Sequence, residues 1–318
     1  MRSSNMRSSD PSKLFSFSVI SDVQYVDAKP GRNYLKTRKR DYRNSLLICK
    51  KAGDTARLEN VSFALQLGDI IDRKNANAKK SSKAINEVLS SFKNIKLYSV
   101  VGNHDLYNFS LNELSQKLKI PFNGYYHFSP FPGFRFVVLN TYDFSVINPK
   151  TKDAAYKYLA KYNMNNLDNK NSWFVGLKGL NRRFVPYNGA LSHDQINWFQ
   201  NILDYSDNEN EKVIVLSHQP IHPKSCENSA LIWNYRKILD MMIDTNCVIA
   251  HFAGHDHSGG LKYDNGILFK TFNSPLEVES DETSWSVVDI YADKMIIRDK
   301  GINIDGNVFE KTNIYPIV

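Results

Sequence analysis

Five short stretches of the chain end an apolar run on a cluster of oxygen and imidazole donors. They are "SDVQ" with Asp22 and Gln24, "GDIID" with Asp69 and Asp72, "GNHD" with Asn103, His104 and Asp105, "SHQPIH" with His218 and His222, and "GHDH" with His255 and His257. Taken singly, each reads as a turn, a helix cap or a surface histidine. Together they make a set of carboxylate, amide and imidazole groups with no thiolate. That argues against a structural zinc or an iron–sulfur site and suits Mn²⁺, Fe or Zn²⁺, bound in pairs when one carboxylate can bridge. Two such ions about 3.5–4 Å apart can hold a hydroxide between them and clamp a phosphoryl oxygen, the arrangement for in-line hydrolysis at phosphorus. Gly68, Gly102 and Gly254 stand where backbone must turn sharply or approach closely.

These clusters can converge only if strands carry them to one edge. Short β-branched or aromatic runs do alternate with helical patterns. Strands are expected at 15–21, 62–69, 96–105, 134–143, 212–220 and 248–257, and helices at about 35–58, 83–92, 191–203 and 231–244. Ser192 is the expected N-cap of the third helix, with Gln195 at the capping-box position. The tail from Gly266 to Ile302 reads as a run of short strands. In open α/β sheets, sites form at the carboxyl ends of strands, so the five clusters would meet in space. Without internal repeats or linkers, residues 14–318 read as a single domain of α/β class. An Asn-, Lys- and Tyr-rich stretch near 145–185 shows no pattern that places it and reads as an insertion over one edge. Residues 1–13 read as a disordered leader, with no apolar signal segment behind it.

The chain has 318 residues, 42% of them hydrophobic and 23% charged, which fits a globular protein with a substantial core. No run of eighteen apolar residues is present, so nothing is expected to span a membrane. Cys49, Cys226 and Cys247 lack a CxxC spacing and read as reduced thiols in a cytoplasmic protein. The formal charge of +8 could favour nucleic acid or small phosphates, but it is spread along the chain and carries no nucleic-acid motif, so it reads first as a generally basic surface, with nucleic acid a minor alternative.

The order Asp-x-(His or Gln), Gly-Asp, Gly-Asn-His-Asp, His, Gly-His-x-His resembles the calcineurin-like metallophosphoesterase superfamily. The resemblance implies a four-layer α/β/β/α sandwich with two divalent metals at the strand ends. Carried over by position, it implies Asp22, Gln24 and His257 on the first metal, Asp69 bridging, and Asn103, His218 and His255 on the second. It further implies that His104 is the general acid or transition-state stabiliser beside the leaving group, poised by Asp72 or Asp105. Glutamine at position 24 is similar to the branch of manganese-dependent ADP-ribose/CDP-alcohol diphosphatases. Its amide oxygen is a harder, neutral ligand than imidazole and favours Mn²⁺ or Mg²⁺ over Zn²⁺. "YRNSL" (42–46), "FSPFPGFRFVVLNTYDFS" (128–145), "RFVPYNGALS" (183–192) and "LIWNYR" (231–236) are also similar to that branch, whereas residues 145–182 match it weakly. By contrast, the chain offers Asp72 where purple acid phosphatases place a ligating tyrosine, and it lacks the Ser/Thr phosphatase blocks.

The expected reaction is cleavage of a diphosphate linkage, ADP-ribose giving AMP and ribose 5-phosphate, and a CDP-alcohol giving CMP and a phosphoalcohol. A base pocket needs a flat apolar wall, for which Tyr25, Phe184, Leu191 and Cys226 are candidates beside the site strands, although each also fits an ordinary core. Arg43 could grip a phosphate or be a solvated helix arginine, and His222 is expected to line the site without ligating. The alternatives are a phosphodiesterase acting on cyclic nucleotides or nucleic acid, and an inactive scaffold of the same fold. The second is disfavoured because Asn103, His104 and the three later histidines are all kept.

Overall fold

A computed structural model of the protein describes residues 12–33, 36–279 and 281–317; residues 1–11 of the expected leader lie outside them. The first strand, β1 (Phe15–Ile20), reads FSFSVI, and its alternation assigns its two faces. Phe15, Phe17 and Val19 point into one hydrophobic cluster, while Ile20 joins another on the opposite side. Parallel to β1 run β2 (Phe63–Gln66) and then β3 (Leu97–Ser99). The sheet is completed by antiparallel β10 (Thr283–Ile290), β11 (Lys294–Ile302) and β12 (Val308–Pro316), in the order β12-β11-β10-β1-β2-β3.

A second six-stranded sheet has the order β8-β9-β7-β6-β5-β4. Its members are β4 (Tyr126–Phe131), β5 (Phe134–Val138), β6 (Lys212–Leu216), β7 (Val248–Ala253), β8 (Gly260–Asp264) and β9 (Ile267–Thr271). The inner four are parallel, and the edge strands β4 and β8 run against them. Phe17, Phe63, Phe136, Ile214, Phe252 and Val288 come from both sheets and pack into the cluster between them. On the outer face of the first sheet lie α1 (Tyr42–Leu58), α2 (Ser81–Ser90) and α4 (Leu111–Leu118), preceded by the short α3 (Asn103–Asn108). The second sheet is covered by α6 (His193–Asn208) and α7 (Tyr235–Ile243). The result is helices, sheet, sheet and helices, the four-layer sandwich that the family resemblance implies. No helix among the described residues is long and apolar enough to cross a membrane.

Several expected bounds shift for local reasons. The helix expected from residue 35 begins at Tyr42, because the Asp41 side chain accepts the Asn44 N–H and caps it. The stretch before it is a small hairpin, Gly31–Arg32 against Lys39–Arg40, in which Asn33 accepts the backbone N–H groups of Thr37 and Arg38. Ser192 does cap α6, accepting from the Gln195 N–H, but Gln195 does not close a capping box. Its buried amide instead clasps Asn140, accepting the backbone N–H at 2.8 Å and donating to the carbonyl at 2.9 Å. Strand β12 was not foreseen beyond residue 302.

The stretch 145–185, which could not be placed from sequence, contains α5 (Lys152–Leu159) and two 3-10 turns, Lys170–Ser172 and Gly179–Arg183. It is tied to the body by a two-residue ladder, Phe144–Ser145 against Gly189–Ala190. A small cluster of Ala155, Leu159, Phe184, Ala190 and Trp233 lies beneath it.

The inter-sheet core leans on aromatic packing. The Phe17 ring is 0% exposed, 5.1 Å from Phe63 in a stack and 5.3 Å from Phe136 edge-on. Phe17→Ala is therefore expected to cost about 3–5 kcal/mol of unfolding free energy. Urea titration checks this, and a loss below about 1 kcal/mol would show that the layer closes around the gap.

Candidate active site

The parallel strands of both sheets deliver their carboxyl ends to one edge. Asp22 and Gln24 follow β1, Asp69 follows β2, Asn103 and His104 follow β3, His218 follows β6, and His255 and His257 follow β7. Turning these side chains inward requires unusual backbone. Asp22 (φ 50°), Gln24 (φ 42°), Asp69 (φ 53°) and His255 (φ 68°) all sit in the left-handed region. A non-glycine residue held there costs on the order of 1 kcal/mol or more and persists only where its surroundings fix it. Here they do: the N–H of Asp22 donates to the Gly68 carbonyl at 3.1 Å, that of Gln24 to Asp69 at 2.9 Å, and that of Gly254 to His218 at 3.0 Å. Two glycines are dictated by crowding. A Cβ on Gly68, whose φ is +97°, would lie 2.4 Å from His218 Nδ1, and one on Gly254 would lie 1.9 Å from Ser21 Oγ.

The inward donors fit divalent cations. Ligand atoms of Asp69, His218 and His255 lie within 4.8 Å of one another. His257 Nε2 is 3.5 Å from Asp22 Oδ1, and Asp69 Oδ1 is 3.5 Å from His218 Nε2. Asp22 Oδ1, Gln24 Oε1 and His218 Nε2 are buried with no hydrogen-bond partner, a costly state for polar atoms unless something is bound between them. The Gln24 amide nitrogen donates to Asp69 Oδ2 at 2.9 Å and lies 2.9 Å from His257 Nε2. A half-turn about the terminal bond presents its oxygen to the same point.

Each histidine is also oriented from behind. His218 Nδ1 meets the Leu67 carbonyl at 2.7 Å, His257 Nδ1 meets Glu277 Oε1 at 2.7 Å, and His255 Nε2 meets Asn188 Oδ1 at 2.8 Å. The Asn188 amide nitrogen is spent on carbonyls of Arg183, Ser229 and Leu231, so its oxygen must face the ring. All three partners only accept, so each fixes a ring N–H outward and leaves the other nitrogen's lone pair facing the cleft. Burial opposes charge on His218, but Asp69 and Asp22 outweigh it and draw the ring up to about 9. His257 likewise rises to about 9 against burial, through Asp22 and Glu277. Burial and the neighbouring His218 charge push His255 down to about 3. The pull that the carboxylates exert on a proton at His218 and His257 is equally available to a metal cation.

His104 stands at the start of α3 and lines the cleft. Its Nδ1 accepts the Arg73 N–H at 3.2 Å and lies 3.4 Å from Asp72 Oδ2, and its backbone N–H donates to Asp69 Oδ1 at 2.7 Å. Burial raises Asp72, but contact with His104 more than offsets it and holds the carboxyl low. Asp105, the other carboxylate considered for poising His104, makes no hydrogen bond to its ring. It is fully buried and accepts the N–H groups of Asp69, Ile70 and Gly102 at 2.9, 2.9 and 3.0 Å. Burial and the Asp69 charge push it up to about 7, while those backbone donors favour its ionised form.

The cleft encloses about 410 Å³. None of the six substrate-binding candidates picked from sequence is among the residues that line it. Arg43 is 60% exposed and pairs with Asp27. Tyr25 and Leu191 belong to the cores beneath the helices, and Phe184 to the small cluster under the insertion. His222 is buried against Phe269 and meets Asp264 at 3.3 Å, while the Cys226 thiol points to the His222 carbonyl. Adjacency to a site strand does not decide which way a side chain faces. The cleft wall is instead built by Arg40, Arg73, Trp173, Phe174, Arg182 and Tyr187. Glu277, Asn188 and Tyr142 were also missed; Tyr142 donates its hydroxyl to Asn103 Oδ1 at 3.0 Å. Glu277 offered no readable signal of its own, because Glu279, Asp281 and Glu282 follow it closely in the same acidic stretch.

A family model described as calcineurin-like phosphoesterase matches residues 15–259. The chain is similar to the manganese-dependent ADP-ribose/CDP-alcohol diphosphatase of Homo sapiens, with 37% identity over 312 residues covering 91% of each chain. It is similar to the protein of the same name from Oryza sativa subsp. japonica, with 37% identity over 296 residues, 89% of this chain and 90% of that one. Its structure resembles that of a dimetal phosphatase from Danio rerio, with a TM-score of 0.88 and 31% identity, covering 96% of this chain and all of the other.

Two outcomes follow from the supporting groups. Glu277→Gln should weaken manganese binding roughly 10- to 100-fold, because the His257 ring loses its carboxylate partner; titration calorimetry reads this, and unchanged affinity would remove Glu277 from the site. Asp105→Ala should leave three buried N–H groups unpaired and lower stability by about 3 kcal/mol or more, measured by urea unfolding.

Proposed function

The chain belongs to the calcineurin-like phosphoesterase family, and on that premise we propose that it hydrolyses the diphosphate linkage of nucleoside diphosphate derivatives to release a nucleoside monophosphate. ADP-ribose would give AMP and ribose 5-phosphate, and a CDP-alcohol would give CMP and a phosphoalcohol. The observation that carries this reading is the donor set itself: carboxylate, amide and imidazole groups from five strand ends, with the orphaned buried atoms Asp22 Oδ1 and His218 Nε2 3.9 Å apart. The names of the human and rice relatives support both the substrate class and manganese.

Asp22, Gln24 and His257 are assigned to one cation and Asn103, His218 and His255 to the other, with Asp69 shared. What such a pair supplies is a water acidic enough to act as nucleophile at neutral pH and positive charge against the phosphoryl oxygens. The remaining work falls to the chain's own side chains. His104 offers its second ring nitrogen to the leaving phosphoryl oxygen, either donating a proton or a hydrogen bond as the bond to phosphorus breaks. Asp72 Oδ2 lies 3.4 Å behind the ring at Nδ1 and helps to orient it. Arg73 and Arg182 face the same cleft and suit the second phosphate, whose charge a simple monoester or diester lacks. Arg40 is tied through Glu277 to His257, so it braces a ligand while presenting charge to the cleft. A cytoplasmic location is part of this reading, supported by three unpaired cysteines that suit a reducing compartment.

The test is hydrolysis by metal-stripped protein resupplied with Mn²⁺, Mg²⁺ or Zn²⁺, offered ADP-ribose, CDP-choline, cyclic AMP, p-nitrophenyl phosphate and bis(p-nitrophenyl) phosphate. Manganese-dependent release of AMP and CMP with little monoester cleavage is expected; activity confined to the diesters or to cyclic AMP would overturn the substrate class. His104→Ala should lower kcat by about 10²–10⁴ while manganese stoichiometry is retained, and unchanged turnover would remove its role. Gln24→His should move the activity ranking toward Zn²⁺ or Fe; an identical ranking would sink this account of the glutamine.

A further inference from the structure

The part of the cleft wall supplied by residues 145–185 has a chemistry of its own. A run of rings leads away from the candidate metal centre: Tyr187 lies 5.6 Å from His255, and Trp173 and Phe174 lie 5.8 and 6.5 Å from Tyr187. Trp173 and Phe174 are only half-buried, and both line the cleft, so each leaves ring surface open to an occupant. The rings are nevertheless fixed. Trp173 Nε1 donates to the Leu167 carbonyl at 2.6 Å, and the buried Asn163 amide donates to the carbonyls of Trp173 at 3.0 Å and Phe184 at 2.7 Å. The Tyr187 hydroxyl donates to the Ser229 carbonyl at 3.1 Å.

Rings of this kind have two obvious uses, stacking a flat heterocycle or caging a quaternary ammonium. The neighbouring charges separate them. The Arg182 guanidinium stands 4.6 Å over Phe174, and Lys170 Nζ is 5.9 Å from the Trp173 ring centre. A further cation would enter against two like charges, whereas a neutral heterocycle would not, and the phosphates attached to it would be drawn by both. We infer that Trp173 and Phe174 form the stacking platform for the nucleobase of the substrate, so that the insertion sets the requirement for a nucleoside. Stacking of this type tolerates different bases because each has a π-face, which accounts for one cleft taking both a purine and a pyrimidine diphosphate. The inference rests on the diphosphatase reading given above.

Steady-state kinetics of the manganese-loaded full chain test it, using ADP-ribose, CDP-choline and a base-free diphosphate joining two riboses. Trp173→Ala should raise KM for both nucleotides about five- to hundredfold with kcat within about twofold, and Trp173→Phe should recover most of the loss. The KM of the base-free diphosphate should not follow. An equal rise for the base-free compound, a rise for CDP-choline alone as a choline cage would give, or no rise at all would each overturn the platform. If the wild-type protein cleaves neither nucleotide, the diphosphatase reading fails separately. Calorimetric binding of AMP and of orthophosphate then decides the platform: weaker AMP binding in Trp173→Ala with orthophosphate unchanged supports it, and equal AMP binding overturns it.

Discussion

Asp69 can reach between the two groups of histidines only because another carboxylate lies beneath it. Asp105 gathers the N–H groups of Asp69, Ile70 and Gly102, joining the end of β2 to the end of β3. That grip holds Asp69 in its left-handed turn and aims one of its oxygens at the His104 N–H and the other at the Gln24 amide. A buried ionised group is tolerable when its lone pairs are filled by fixed dipoles. The inner carboxylate therefore takes the role of scaffold and the outer one that of donor, although both carry the same chemistry. The other strained turns stand on similar supports, with Ser21 and the His255 N–H both donating to Asp22 Oδ2.

Much of this was legible from the order of residues. The alternation in FSFSVI set the faces of β1, and the Gly-Asp, Gly-Asn-His-Asp and Gly-His-x-His clusters marked the strand ends that meet. Those signals are local, and local rules decode them: period two for a half-buried strand, a polar cluster where the strand stops. The N-cap at Ser192 was likewise visible, because a cap is satisfied within one turn of its own helix.

What stayed hidden depends on contacts between distant parts of the chain. Asn188 and His255, or Glu277 and His257, meet only after the second sheet has folded. Tyr25, Leu191 and Cys226 were chosen for nearness to site strands, yet their side chains turn into the cores or along the loop. Nearness along a chain fixes where a backbone is, and packing fixes which way a side chain faces. The roles of Asp72 and Asp105 could not be told apart from their spacing to His104, because the distinction lies in which of them the three backbone amides claim.

The wall of the cleft and its floor are built from separate parts. The donors hang from strand ends of the two sheets, whereas Trp173, Phe174 and Arg182 ride on a segment with its own small cluster, attached by the two-residue ladder at Phe144–Ser145. The segment contributes no residue to the inter-sheet core, and it reaches the histidine supports through the Arg183 backbone carbonyl that accepts from Asn188. Evolution could thus exchange the recognised group while the hydrolytic chemistry stayed constant, as a tool keeps its handle when the bit is changed. Divergence among such enzymes should accordingly concentrate in that segment and spare the turns that carry the donors.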